Sequence, residues 1–68
     1  MEKETEKILE KIRRIRIIKK ITQFDLALEA GIAHSHMYYI ESKRVIPSID
    51  VLVKIAKALR VPLADLLK

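Results

Sequence analysis

Apolar residues recur at three- and four-residue spacing along nearly the whole chain. Ile8, Ile12 and Ile15 form one stripe, Leu26 with Ala27 a second, and Met37 with Ile40 a third. Ile49, Leu52, Ile55, Ala56 and Leu59 repeat at the spacing of a helix with one buried face. No run alternates with period two and no hairpin turn chemistry occurs, so strands are not expected. Capping residues set the boundaries. A first helix is predicted over about 2–19, with Glu4, Glu6 and Glu10 toward its start and Lys19-Lys20 at its end, as the helix dipole favours. Thr22 is an N-cap with Asp25 three residues on, opening a helix over about 23–30 that Gly31 ends in a left-handed turn. The next helix spans about 33–42. Ser48 follows Pro47 as a second N-cap, with Asp50 in the first turn of a helix over about 49–59. Pro62 opens a last short helix over about 62–67, with Leu63, Leu66 and Leu67 as its apolar side. The pattern predicts an all-α fold: one compact five-helix domain over residues 1–68.

Thr22 to Glu41 is the most informative stretch. It reads as two short helices joined at Gly31, with Met37 and Ile40 of the second facing inward. His34, Ser35, His36, Tyr38 and Tyr39 are then left for solvent or a ligand. Two short helices with so tight a glycine turn indicate a helix-turn-helix, whose second helix enters the DNA major groove.

Charge strengthens that picture. The 68-residue chain has a formal net charge of +5, which favours a polyanionic partner. Lys11, Arg13, Arg14, Arg16, Lys19 and Lys20 follow one another with no acid until Asp25, and Lys43-Arg44 come just after the second helix of the motif. The plainer reading of these charges is a solvated face. There is no cysteine, hence no disulfide and no thiolate metal site. His34 and His36 point about 200° apart on a helix, so no shared metal is expected. No signal peptide or membrane span is visible, and the expected compartment is the cytoplasm. No nucleophile–base set, no paired acids in a pocket and no phosphate-binding glycine loop occur, so neither an enzyme nor a cofactor nor a small-molecule substrate is expected.

With these residues placed, the chain resembles the Cro/repressor-type (XRE) helix-turn-helix family from about Ile8 to Leu67. The resemblance is carried by Ile12 to Arg16 (IRRIR), Thr22-Gln23 with Leu26-Ala27, and Gly31-Ile32. Ile40-Glu41, Pro47-Ser48, Leu52 with Ile55-Ala56, and Leu59 to Leu67 (LRVPLADLL) complete it. It implies a lambda-repressor-like fold and a sequence-specific transcriptional regulator of a prokaryotic nucleoid, binding double-stranded DNA at pseudo-palindromic operators as a homodimer. By the same resemblance, His34, Ser35, Tyr38 and Tyr39 face base edges or the flanking backbone. Thr22, Gln23, Lys43 and Arg44 meet phosphate. The plainer reading of the two tyrosines is cover for the edge of the core. Val45, Ile46, Ile49, Leu63 and Leu66 are the expected dimer surface. Arg16 and Glu41 match a largely buried ion pair between helices one and three, and the physics agrees, because both lie at inward positions where either charge alone is costly.

The chain departs from the family pattern in several places. Lys20, Lys43 and Arg60 stand where glycine is frequent, after helix ends that need a left-handed backbone, at a cost of about 1 kcal/mol each. Ala33 replaces the usual Ser or Thr cap of the recognition helix. No Arg, Lys, Asn or Gln lies between Gly31 and Ile40, so the strongest side-chain pairings with guanine and adenine are absent from that helix. Ile17, Phe24 and Leu28 are apolar where polar residues are usual. Either the long first helix covers them through Ile17, or they form a patch for a second protein partner. The alternative function is therefore a protein-interaction module, an adaptor or antitoxin on the same fold, with weak or accessory DNA binding.

Overall fold

The computed structural model describes all residues from Met1 to Lys68. Five helices follow one another: α1 (Lys3–Ile18), α2 (Gln23–Ala30), α3 (His34–Glu41), α4 (Ile49–Leu59) and α5 (Leu63–Leu67). Two of them start on side-chain caps. Thr22 Oγ1 accepts the N–H of Asp25 at 3.0 Å, and Ser48 Oγ accepts that of Val51 at 3.1 Å. Ala33, extended at φ −64° and ψ 144°, begins α3 with no side-chain cap. Pro62 is the N-cap of α5 rather than its first residue.

Helices α1 to α4 all stop in the same way. A residue of positive φ follows each: Lys20 (60°), Gly31 (72°), Lys43 (64°) and Arg60 (60°). The next N–H then reaches back five residues, from Ile21 to Arg16, Ile32 to Ala27, Arg44 to Tyr39 and Val61 to Ala56, at 2.9–3.0 Å. Paired with the i to i−3 bonds from the positive-φ residues, these are Schellman turns, which satisfy carbonyls the helix leaves open. Such turns want an apolar residue just past the left-handed position, and Ile21, Ile32 and Val61 pack against the core there. At the α3 end the equivalent residue is Arg44, which is exposed.

The core collects Leu9 and Ile12 from α1, Leu26, Ala27 and Ala30 from α2, and Met37 and Ile40 from α3. Leu52, Ile55, Ala56 and Leu59 from α4 and Leu66 from α5 complete it. α2 packs on both α3 and α4, while α1 crosses α3, α4 and α5. Two expectations are corrected. Ile49, predicted inward, is 68% exposed, because it opens α4 and its turn extends past the core. Leu66, predicted at a dimer surface, is fully buried. A five-residue helix lying across α1 and α4 turns one face inward. Leu66 and the half-buried Leu63, three residues apart, share it, and Leu67 is left outside at 54% exposure. No helix is long and apolar enough to cross a membrane.

Candidate nucleic-acid interface

Helix α3 divides its side chains by periodicity. Met37, Ile40 and Glu41 are buried, while His34, Ser35, Tyr38 and Tyr39, at i, i+1, i+4 and i+5, are exposed on the other side. His36 is half-buried between the two groups.

The buried side is fixed by a polar network. Arg16 Nε donates to Glu41 Oε2 at 2.8 Å and Arg16 Nη2 to Glu41 Oε1 at 3.0 Å. Arg16 Nη1 donates to the carbonyl of Ile21 at 2.8 Å, which ties the α1–α2 connection to the same group. Gln23 Nε2 donates to Glu41 Oε1 at 3.2 Å. One carboxylate thus gathers α1, the start of α2 and the end of α3, and no buried side-chain nitrogen or oxygen is left without a partner. Gln23 spends one amide hydrogen on Glu41, so its second amide hydrogen and the free N–H groups at the start of α2 are what it offers an anion.

A cleft of about 230 Å³ opens beside this network, lined by Arg13, Arg16, Gln23, Tyr38, Glu41 and Ser42. Arg13 belongs to the basic run of α1 but not to the phosphate contacts expected from the sequence. Its signal is its place one turn before Arg16, which puts an exposed guanidinium on the α1 surface next to the half-buried one.

The two cations after α3 behave differently. Lys43 Nζ lies 2.7 Å from Glu10 Oε2 and 4.0 Å from Glu6 Oε1 on α1. The hydrogen bond from Lys43, and then its charge, hold the Glu10 carboxyl below its ordinary value of 4.5. The same bond raises the Lys43 ammonium above 10.5. Lys43, expected to meet phosphate, thus already has acidic partners on α1. The Arg44 guanidinium carbon instead sits 5.9 Å from the ring centroids of both Tyr38 and Tyr39, within cation–π range, and carries no carboxylate partner.

Matching the chain against known families gives one result that decides its membership: a helix-turn-helix model aligns with residues 12–66. The chain belongs to the Cro/repressor-type (XRE) helix-turn-helix family. A crystal structure of the restriction-modification controller protein C.AhdI from Aeromonas hydrophila superposes on it with a TM-score of 0.85 and 27% identity. The match covers 88% of this chain and 91% of that one. No curated protein sequence matches the chain. The fold is thus the all-α, lambda-repressor-like arrangement, and the family is one of DNA-binding domains, not enzymes.

The two helices of this helix-turn-helix are α2 and α3. Ile17, Phe24 and Leu28 are 52%, 57% and 68% exposed, so α1 does not cover them. Phe24 meets His34 edge-on, with ring centroids 5.6 Å apart and planes at 85°. Of the residues expected at a dimer surface, Ile46 and Ile49 are exposed and Val45 and Leu63 half-buried.

Proposed function

We propose that this protein is a sequence-specific transcriptional regulator that lays α3 in the major groove of double-stranded DNA and binds a pseudo-palindromic operator as a homodimer. The observation that carries the reading is the outward face of α3, where His34, Ser35, Tyr38 and Tyr39 stand exposed, flanked by the start of α2 and by Arg44. Thr22, Gln23 and Arg44 are the phosphate contacts of this reading, with Arg13 added to them. The likeness to a restriction-modification controller supports a DNA-binding transcriptional regulator.

Base readout falls to imidazole, hydroxyl and apolar groups and to DNA shape, because α3 carries no Arg, Lys, Asn or Gln. Discrimination at any one base pair is then modest, no more than about 3 kcal/mol, and phosphate contacts supply most of the affinity. Val45, Ile46, Ile49 and Leu63 form the isologous surface of the dimer.

The test is selection from a pool of random duplex DNA at two salt concentrations. An enriched inverted repeat, with half-sites about one helical turn apart, supports a dimeric regulator. Binding that falls steeply with salt and enriches nothing would refute it. The second reading, an interaction module, is favoured by the exposure of Ile17 and Leu28, and would then lead.

A further inference from the structure

Phe24 is the second residue of α2 and His34 the first of α3. Their rings meet at right angles beside the face that the proposed function turns toward bases. At 57% exposure Phe24 is not a core residue, and its single aromatic contact is the histidine. An exposed phenyl ring is a poor neighbour for phosphate, because it offers no hydrogen bond and would strip water from the anion. The major groove presents donors, acceptors and one apolar group, the C5-methyl of thymine, and only the last is complementary to a phenyl ring.

We infer that Phe24 and His34 form a two-ring reading head, in which Phe24 takes the C5-methyl of a thymine in each half-site and His34 holds the phenyl ring in place. This rests on the reading of α3 as the recognition helix. It makes Phe24 a specificity-determining residue contributed by the supporting helix rather than part of a protein-docking patch. It also supplies apolar readout to a recognition helix that lacks the strong hydrogen-bonding side chains.

The experiment replaces each thymine of the selected duplex, one at a time, with deoxyuridine, which removes only the methyl. The wild-type protein should lose affinity about four-fold at one position per half-site, the worth of one buried methyl group. Phe24→Ala should show no loss at that position, and His34→Ala a reduced one, with thermal melts checking that both variants are folded. An operator without any methyl-sensitive thymine would overturn the inference, and so would an undiminished loss in Phe24→Ala. Either result leaves the regulator standing. A protein that enriches no duplex sequence removes both readings.

Discussion

Arg16 closes a two-point ion pair on Glu41 across 25 positions of sequence, and the Glu41 side chain is only 2% exposed. The carboxylate has little water to fall back on if the guanidinium is lost. Arg16→Met alone should therefore destabilise the fold by roughly 3–5 kcal/mol, enough to unfold much of so small a domain. The double variant Arg16→Met, Glu41→Leu leaves no charge behind and should recover most of that loss. Urea denaturation of the two single variants and the double checks this. Equal loss in the double would mean that the pair contributes net stability rather than a penalty avoided.

The four Schellman turns give a second prediction. Only one of them holds glycine at the left-handed position. Lys20→Gly and Arg60→Gly relieve a steric cost of about 1–2 kcal/mol, part of which returns as entropy of the unfolded chain. Each should raise stability by about 0.5–1 kcal/mol. Lys43→Gly should gain less, because it also removes the bond to Glu10. Ala33→Ser should add about 1 kcal/mol by capping the N-terminus of α3. Urea midpoints with unchanged slopes would report all four.

The Glu10–Lys43 pair gives a pH dependence with a definite sign. Glu10 titrates below its ordinary 4.5 in the folded protein, so its contribution is complete above that value and disappears as pH falls through the lower folded one. The stability difference between wild type and Glu10→Gln should be flat from pH 6 to 9 and shrink below about pH 4.5. Both groups are in solvent, so added salt should shrink it as well. Thermal melts across pH and salt test this. A difference that grows as pH falls would contradict the assignment.

Arg44 and Lys43 are neighbours with unequal expected effects on DNA binding. Arg44 is free of carboxylates and flanked by two tyrosine rings. Arg44→Met should weaken binding to all duplex sequences alike and lower the salt slope by about 0.9. Lys43→Met should change the slope far less, because its charge is already answered by Glu10 and Glu6. Affinities measured across a salt series distinguish the two.

How far these features could be read from the sequence depends on how local their causes are. The caps at Thr22 and Ser48, the turn at Gly31 and the stripes of α2 to α4 arise within a few residues, and periodicity exposes them. The spacing of α1 picks out Ile8, Ile12 and Ile15 but not Leu9, which lies beside that stripe on the buried side. Ile49 fits the α4 spacing perfectly well and is still exposed, since periodicity gives a direction but not where the core ends. The resemblance puts Leu66 at the dimer surface, and a five-residue helix has too few turns for its spacing to show that Leu66 faces in. The capture of Lys43 by Glu10, 33 residues away, and the meeting of Phe24 with His34 depend on how α1, α2 and α3 are placed, which no local pattern carries.

The central claim is that the outward face of α3 selects a DNA sequence. It is tested most directly by the ratio of affinity for the selected duplex to affinity for a scrambled one. The measurement compares wild type with a variant whose His34, Ser35 and Tyr38 are all alanine. The account predicts a wild-type ratio of about a thousand or more at physiological salt. In the variant the ratio should fall toward one, while salt-dependent binding to scrambled DNA and thermal stability persist. A ratio unchanged by the triple substitution would contradict it, because sequence would then be read by some other surface.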